Sequence, residues 1–300
     1  MTGLFMILRN PFFFTAGLGF LALAKIKSLL RGYSSPKPFG FSEMQRCIDY
    51  DISVVNGWLD YLKAYSKDTS LSGKNVLELG PGSDLGTGLY LLYKGCARYN
   101  ACDVNDLVKS SPNRFYEELF KKLESLQGAL AIEELEKQLE LSKAGEPSRL
   151  NYLIRDDFDL VSAFGEETID LVFSQAAFEH FDDVEKTIAD LSKLCKSGAI
   201  LTVQVDLKAH SRWIREKDPN NIYRFPEWLY RLFYFRGIPN RVRPYQYKKA
   251  LEQFGWKNVT VSPLKAIKNP HDAYSGMNNA FSGDKNQMDY LSIMICAKKS

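Results

Sequence analysis

Short apolar runs alternate with longer amphipathic stretches from residue 75 to the C-terminus. Seven of these runs have the length and the bounding turn residues of β-strands, and they lie at 76–79, 99–102, 150–154, 169–174, 199–205, 259–261 and 291–296. Strands that alternate with helical stretches are typical of a mostly parallel sheet with helices on both faces. We therefore expect an α/β fold.

Two helical segments stand apart from this alternation. Residues 42–65 repeat apolar side chains at three- and four-residue steps, which predicts a helix ahead of the first strand that covers the ligand cleft. Residues 107–149 form an insert between the second and third strands, with amphipathic apolar positions at Phe115, Leu119, Leu123, Leu126, Leu130, Leu135 and Leu139. Interleaved Glu and Lys residues predict a solvated outer face. A lid, a dimer surface and simple packing remain open for this insert.

The N-terminal segment, residues 1–40, precedes the domain that we predict for residues 41–300. An uncharged apolar run, Phe12–Ala24, lies between Arg9 and a basic stretch that begins at Lys25. This run is shorter than the ~20 residues that a spanning helix needs. Residues 3–31 therefore favour two interpretations equally: a helix on an anionic membrane surface, or one that packs on the domain or on a second subunit. A cleaved signal peptide is a weaker third interpretation, and the residues up to Gly40 are typical of a linker.

Composition places the chain among globular proteins of a reducing compartment. Its 300 residues are 45% hydrophobic and 13% aromatic, enough for a sizeable core, and the formal net charge of +3 is too small to indicate nucleic-acid binding. Five cysteines are scattered without a C-x-x-C pair, at Cys47, Cys96, Cys102, Cys195 and Cys296. This pattern predicts buried free thiols, with neither a disulfide framework nor a metal site.

The most informative motif is the strand that ends near Glu78 and then turns through Gly80 and Gly82. A helical pattern follows at once, which predicts the first half of a nucleotide-binding βαβ unit rather than a simple tight turn. Glycines let the backbone approach a ligand closely, and the helix N-terminus offers free N–H groups. Asp103 follows the second strand, 21 positions after Gly82. That spacing is close to the roughly 20 residues at which an acid binds ribose hydroxyls.

The Glu-x-Gly-x-Gly pattern of residues 78–82 resembles motif I of the class I S-adenosylmethionine-dependent methyltransferases. The resemblance covers roughly residues 73–300 and implies a Rossmann-like, mostly parallel seven-stranded sheet with helices on both faces and an antiparallel last strand. It implies S-adenosyl-L-methionine (SAM) as the cofactor. The residues that it assigns to the cofactor are Glu78, Gly80, Pro81, Gly82, Asp103, Asp156, Asp157 and Ser174. Asp84 stands where the family often has a third glycine.

Two histidines are the predicted catalytic bases. His180 lies in a loop after the fourth strand where the family frequently has a Glu-His pair, and His210 follows the fifth strand. A hydroxyl acceptor benefits from a group that removes its proton near neutral pH, and histidine suits this task. Asp206 precedes His210 by four residues, and we expect it to orient that ring. Either histidine remains a candidate.

The segment 206–250 is expected to set substrate choice, because ligands of open α/β sheets lie beyond the carboxyl ends of the strands. It is dense in aromatic and basic residues, and its D-x-x-x-H element with a later N-R-x-R resembles methyltransferases of polysaccharide and glycoconjugate biosynthesis. Three interpretations remain open: stacking on a sugar with arginines on phosphate, binding of single-stranded nucleic acid, or a structural cover.

These observations together predict a SAM-dependent methyltransferase that methylates a sugar or another hydroxyl acceptor, either a small molecule or a glycan or lipid-linked group. An RNA methyltransferase and a non-catalytic interaction module of the same fold are the alternatives, and nucleic acid is the less favoured partner. The expected location is the cytoplasm, at the inner face of a membrane, with oligomerisation left open.

Overall fold

The computed structural model describes residues 2–31 and 39–300. Its helices are α1 Thr2–Arg31, α2 Met44–Tyr65, α3 Gly86–Tyr93, α4 Asn113–Glu124, α5 Ile132–Ala144, α6 Leu160–Phe164, α7 Val184–Leu194, α8 Arg212–Lys217, α9 Glu227–Leu232, α10 Pro244–Gln253 and α11 Pro270–Tyr274. Its strands are β1 Asn75–Leu79, β2 Arg98–Asp103, β3 Leu150–Ile154, β4 Ile169–Gln175, β5 Cys195–Asp206, β6 Trp256–Ala266 and β7 Tyr290–Lys299.

The seven strands form one sheet in the order β3-β2-β1-β4-β5-β7-β6. Strands β1 to β5 pair in parallel, and β7 runs antiparallel to both of its neighbours, β5 and β6. This confirms the predicted Rossmann-like sheet with an antiparallel last strand. The strand order reverses between β1 and β4, and α/β sheets bind their ligands in the crevice at such a switch point.

Two apolar layers cover the sheet. Helices α2 to α5 pack on one face, where Trp58 stacks on Phe173 with ring centroids 5.0 Å apart and planes within 2°. Helices α6, α7 and α10 contribute to the core on the other face. The insert at 107–149 therefore packs on the domain through the apolar positions of α4 and α5, which is one of the three roles left open by the sequence. The five cysteines are buried and free, which confirms the expected thiols.

Strand β5 begins earlier than the sequence suggests. Residues 196–198 read as a helix-ending turn, but they belong to a strand that starts at Cys195. Between the pairs Ile169–Cys195 and Leu171–Ile200 the register shifts, so β5 carries the extra residues as a bulge. Gly198 has a φ of +83° inside this bulge. A glycine that reads as a helix end thus serves an irregular strand instead.

Helix α1 is longer than the apolar run that predicts it, because it continues through Pro11 and Arg9 as one helix of 30 residues. One side of it packs on a third apolar cluster that includes Tyr223 and Phe225. Asn221 Nδ2 donates to the carbonyl of Phe13 at 2.9 Å. Packing on the domain is therefore one role of this helix. Most of the predicted linker, residues 32–38, lies outside the described residues.

The aromatic and basic segment after β5 has largely a structural role. Tyr223, Phe225 and Tyr230 are buried. Arg224 forms a buried ion pair with Asp218, at 2.6 and 2.9 Å. The two arginines of the N-R-x-R element, Arg241 and Arg243, are also buried and donate to backbone carbonyls. The structural-cover interpretation accounts for these side chains.

Candidate functional site

A cavity of about 760 Å³ opens at the carboxyl ends of β1, β2, β4 and β5. Its volume is within the range of small-molecule sites. The glycine turn, the loop after β4 and the beginning of the segment after β5 all reach its wall. Helix α2 contributes Tyr50, Asp51 and Val54, which confirms that this helix covers the cleft.

Glu78 is held rigidly where β1 meets the cavity. Its side chain is buried, and Oε2 accepts hydrogen bonds from Thr87 Oγ1 at 2.7 Å and from the Tyr99 hydroxyl at 2.6 Å. Burial, with the neighbouring carboxylate, raises the pKa of Tyr99 well above its ordinary value, so the phenol stays protonated and remains a donor. The result is a carboxylate of fixed orientation at the cavity wall.

The turn after β1 requires glycine. Gly80 and Gly82 have φ values of +71° and +83°. A Cβ on Gly80 would lie 2.7 Å from the Cβ of Ala177 in the loop after β4. Asp84, which stands in place of a third glycine, is buried, and its Oδ1 accepts from the Gly86 backbone N–H at 3.0 Å. The departure from the family pattern thus stabilises the beginning of α3.

Asp103 supplies a second buried carboxylate at the end of β2. Its Oδ1 accepts from the Asn105 backbone N–H at 3.0 Å. Burial raises the pKa of Asp103, and the backbone N–H groups of Asn105, Val104 and Gly82 oppose that shift. Gly82 therefore connects the glycine turn electrostatically to this acid, and Pro81 lines the cavity between them.

The remaining predicted cofactor residues lie in two different environments. Asp156 and Asp157 are exposed at the cavity rim. Arg155 binds both oxygens of Asp157, at 2.9 and 2.8 Å, and holds the pKa of that carboxyl far below its usual range. Arg236 donates to the backbone carbonyl of Asp156 at 2.6 Å, so this contact does not involve the Asp156 carboxylate. Ser174 is fully buried, donates to the Leu79 carbonyl at 2.9 Å and is not among the cavity-lining residues.

The two predicted bases meet in the cavity wall. His180 Nδ1 lies 2.6 Å from the Gly237 carbonyl, and His210 Nδ1 lies 2.9 Å from the Lys208 carbonyl. Their Nε2 atoms are 3.2 Å apart, with the rings nearly perpendicular. Burial lowers the pKa of both rings, and burial together with the neighbouring His210 lowers that of His180 to about 3. Both rings are therefore neutral at physiological pH.

The prediction that Asp206 orients His210 is wrong, because the Lys208 carbonyl does so. Asp206 instead forms ion pairs with Arg215 and with Lys208, the latter at 3.5 Å. It acts on His210 only through its charge, which opposes the effect of burial on that pKa. Asp206 remains in the cavity lining.

Glu179 is a residue of the site to which the sequence analysis assigns no role of its own. It is 2% exposed, and neither carboxylate oxygen has a hydrogen-bond partner of ordinary geometry among the described residues. Burial, and secondarily the charge of Asp206, raises its pKa well above the ordinary value, while nearby backbone N–H groups oppose this. A carboxylate oxygen of Glu179 and one ring nitrogen each of His180 and His210 lie within 4.8 Å of one another.

Asn240, the first residue of the N-R-x-R element, fixes the loop that carries this cluster. Its Nδ2 donates to the carbonyls of Phe178 at 2.8 Å and Phe181 at 3.1 Å. Its backbone N–H donates to the carbonyl of Glu179 at 2.7 Å. Three hydrogen bonds from one residue thus hold the loop from both sides.

The cavity is strongly acidic. Nine of its lining residues are Asp or Glu, whereas three are Lys or Arg. The basic ones are Lys186, Arg215 and Arg236, and each already contacts an oxygen of the protein. Such a cavity favours a cationic ligand over a polyanion.

Comparison with known proteins identifies a family. Residues 51–261 match the family model described as a methyltransferase domain. No curated protein matches the chain. Among solved structures, the CurJ carbon methyltransferase is similar at 18% identity, over 99% of this chain and 69% of that one, with a TM-score of 0.49.

Two further solved structures are similar at lower identity. The Haemonchus contortus phosphoethanolamine N-methyltransferase 2, determined with S-adenosyl-L-methionine, is 14% identical over 81% of this chain and 52% of its own, with a TM-score of 0.46. An S-adenosylmethionine-dependent methyltransferase from Mesorhizobium loti is 12% identical over 82% of this chain and all of its own, with a TM-score of 0.46. The chain spans about half of the Haemonchus protein.

Proposed function

This chain belongs to the methyltransferase-domain family of SAM-dependent enzymes, and from that premise we propose that it methylates a hydroxyl oxygen. The observation that carries the proposal is the pair of neutral imidazoles in the cavity wall. Each ring donates through Nδ1 to a carbonyl, so each Nε2 carries a lone pair at the place where an acceptor proton must be removed.

The residues around the glycine turn fit the cofactor. SAM supplies an electrophilic methyl group on a sulfonium ion and brings a net positive charge to the site. Glu78 and Asp103 offer two buried carboxylates on either side of Gly80 and Gly82, and Asp156 offers a third at the rim. The absence of a Cβ at Gly80 lets Ala177, in the loop after β4, pack directly on the turn. We assign the cofactor to these residues, with Pro81 in the wall between them.

Acid–base chemistry separates hydroxyl acceptors from amines. A neutral amine already carries a lone pair for an in-line displacement, whereas a hydroxyl is a weak nucleophile until its proton is removed. His180 and His210 supply acceptors of that proton at one point. The rest of the site positions the acceptor and excludes water. The two histidines therefore favour an oxygen acceptor.

The charge of the cavity limits the chemical class of the methyl acceptor. Nine acidic lining residues disfavour RNA and phosphate-rich acceptors, which weakens the RNA methyltransferase alternative. Phosphate binding was one of the three open interpretations of the arginines after β5, but these side chains are largely engaged with the protein itself. We therefore propose an acceptor whose reacting part is uncharged, such as a sugar hydroxyl, free or carried on a glycan or lipid.

The reaction is tested directly by mass spectrometry. Purified protein is incubated with methyl-deuterated SAM and a panel of sugars, lipid-linked glycans and alcohols, together with amines for comparison. The proposal expects a labelled ether product, with turnover falling at least about 100-fold in His210→Ala and His180→Ala, the lower end of what general-base catalysis contributes. Labelled amines without labelled ethers, or full turnover in both variants, would contradict it.

We also propose that the enzyme works in the cytoplasm at the inner face of a membrane. Helix α1 packs on the domain along one side and exposes apolar side chains on the other, with Leu29 75% and Leu30 79% exposed. Ser28, on the same helix, lines the cavity. Lys25 and Lys27 follow the apolar run, which suits a helix lying on an anionic surface.

A surface orientation agrees better with the packing of α1 than a spanning one. By length and composition alone, Leu8–Leu30 could cross a membrane, with 23 residues and a mean hydropathy of 1.5. A spanning helix would have to leave the cluster that it shares with Tyr223 and Phe225 and give up the hydrogen bond from Asn221. A helix lying in the interface keeps both contacts.

A further inference from the structure

The two imidazoles of the cavity wall face each other through their Nε2 atoms. A carbonyl oxygen only accepts hydrogen bonds, so the contacts to Gly237 and Lys208 place a proton on Nδ1 of His180 and of His210. A ring that donates from Nδ1 in this way presents the lone pair of its Nε2. The 3.2 Å between the two Nε2 atoms thus separates two lone pairs with no hydrogen to share.

A third group that can donate an electron pair, the Glu179 carboxylate, lies beside the two imidazoles. Glu179 is buried in the same wall, and its carboxylate oxygens have no hydrogen-bond partner of ordinary geometry in the part of the chain that is described. One of its carboxylate oxygens lies within 4.8 Å of a ring nitrogen of each histidine. Buried polar groups are normally satisfied. A buried carboxylate and two imidazoles that meet at one point therefore form a donor set suited to a cation.

We propose that Glu179, His180 and His210 bind one divalent first-row transition-metal cation, of which Zn²⁺ is the reference case. Zn–N bonds of about 2.0–2.1 Å in a tetrahedral arrangement separate two ligand nitrogens by about 3.4 Å. The observed 3.2 Å between the Nε2 atoms is close to that separation. The Glu179 carboxylate reaches the ion by moving towards the rings, and the fourth position opens on the cavity.

The groups behind the ligands match those of metal-bound histidines. Such histidines donate their other ring N–H to a carbonyl or carboxylate, which fixes the tautomer and the ring orientation. Gly237 and Lys208 provide carbonyls at 2.6 and 2.9 Å. Asn240 holds the loop of Glu179 and His180 with three hydrogen bonds. This arrangement keeps two imidazoles together that would otherwise repel.

The topology explains why the sequence predicts no metal site. Glu179 and His180 follow β4, while His210 lies 30 residues later, after β5. Because β4 and β5 are parallel neighbours, their carboxyl ends bring the three residues to one point. The three ligand residues do not form a motif of closely spaced residues in the sequence. They come together only when the chain folds. Imidazole and carboxylate ligands together suit Zn²⁺, Fe²⁺ and Mn²⁺ rather than Mg²⁺.

A consequence for catalysis follows, and it rests on the proposed function. With an ion bound, the two Nε2 atoms are ligands and no longer proton acceptors. An acceptor hydroxyl in the open position would then release its proton to solvent water, because the ion lowers the pKa of the hydroxyl as zinc does for bound water. The binding of the ion itself does not depend on which acceptor the enzyme uses.

Metal binding is measured on the full-length chain after dialysis against a chelator. Zn²⁺ is titrated by calorimetry and Co²⁺ by visible absorption, with metal content determined by mass spectrometry. We expect one ion per chain and a cobalt spectrum without a thiolate charge-transfer band, which excludes the five cysteines as ligands. His210→Ala and Glu179→Gln are each expected to weaken binding at least about 100-fold, since even outer partners of a ligand contribute about 10–100-fold.

The matched control is Glu252→Gln, which removes an exposed carboxylate of α10 that pairs with Lys248 at 3.9 Å. This variant is expected to bind Zn²⁺ like the wild type. Thermal melting and binding of S-adenosylhomocysteine verify that each variant is folded. Failure of the wild type to bind Zn²⁺ or Co²⁺ stoichiometrically would overturn the proposal, and so would unchanged binding in His210→Ala.

Failure of this inference is distinguishable from failure of the proposed function. A protein that binds S-adenosylhomocysteine and forms methyl ethers in the presence of chelator keeps its function and has no metal site of this kind. In that case nitrogen NMR of labelled histidine would show one ring as an imidazolium that shares its proton. If the protein binds one ion but methylates no hydroxyl, the metal site is supported and the proposed hydroxyl acceptor is rejected.

Discussion

Asp103 gives a clean test at the level of a single charge. Asp103→Asn keeps the shape of the side chain and its bond from the Asn105 N–H, but it removes the negative charge. A lost hydrogen bond to a charged group corresponds to about 1.5–3 kcal/mol. We expect the Kd for S-adenosylhomocysteine to rise about 10- to 100-fold in calorimetry. The melting temperature should not fall, because burial raises the pKa of this acid and so opposes its charge.

Asp157→Asn is the matched control for this measurement. Asp157 lies at the same cavity but is exposed, and Arg155 neutralises it through two hydrogen bonds. Its removal should change the Kd by less than about threefold, as for other exposed ion pairs. Equal effects of the two substitutions would indicate that general charge, and not a specific contact at Asp103, attracts the ligand.

Gly80 tests the geometry of the turn in the same way. Gly80→Ala places a methyl group 2.7 Å from the Cβ of Ala177 on a backbone with a φ of +71°. Left-handed backbone costs about 1–2 kcal/mol for a non-glycine residue, and overpacking costs a further 1–3 kcal/mol. We expect a loss of at least about 2 kcal/mol in urea unfolding, together with weaker binding of S-adenosylhomocysteine.

Gly73 separates these two contributions. It has nearly the same φ, +73°, but a Cβ there would meet no atom within 4 Å. Gly73→Ala should therefore cost only the backbone part, about 1–2 kcal/mol, and leave ligand binding unchanged. If Gly80→Ala behaved like Gly73→Ala in both measurements, the close approach of the loop after β4 would be unimportant for the site.

Among the elements, those defined by local patterns were predictable and those defined by distant partners were not. The strand and glycine turn around Gly80 could be predicted because each depends on neighbours in sequence. The start of β5 could not, since its bulge is defined by pairing with β4. For the N-R-x-R element, the sequence left a ligand-binding and a structural role open, and the structure favours the structural one. Its arginines bond to carbonyls, and Asn240 holds a loop about 60 residues earlier.

The segment after β5 depends on a buried ion pair for its shape. Arg224 and Asp218 have side-chain exposures of 1% and 5%, and Asn221 also donates to Asp218 at 2.8 Å. Asp218→Ala leaves a guanidinium buried without its counter-charge, which costs about 3–5 kcal/mol. We expect that loss in urea unfolding. Because Arg224 also contacts Asn10 at 3.1 Å, α1 should become more accessible to protease as well.

An exposed pair on α4 provides the comparison. Lys121 and Glu118 lie 2.9 Å apart with side-chain exposures of 67% and 35%. Glu118→Ala should cost no more than about 0.5 kcal/mol, as is usual for helical surface pairs. A loss as small as this in Asp218→Ala would mean that the segment does not depend on the pair.

Over the whole molecule, the cofactor half of the site is local and the acceptor half is assembled by the fold. Glu78, Gly80 and Gly82 are within five residues, and Asp103 follows at a regular spacing, so the sequence indicates them together. The wall opposite combines the loop after β4, the end of β5 and the backbone of Gly237. Each of its histidines could be named in advance. Their facing Nε2 atoms, and the part played by Glu179, depend on strand pairing that no local pattern contains.

Helix α1 connects the proposed membrane surface to the active-site cavity. It exposes apolar side chains, and its Ser28 lines the cavity. Burying a leucine side chain is worth about 1.5–3 kcal/mol. The double substitution Leu29→Glu and Leu30→Glu should therefore reduce partitioning onto anionic vesicles at least about 100-fold in co-sedimentation, with binding of S-adenosylhomocysteine unchanged. Leu264→Glu, at a leucine of β6 that is 37% exposed, should sediment like the wild type. Wild-type protein that stays in the supernatant at low salt would rule out the membrane surface and leave packing on the domain as the role of α1.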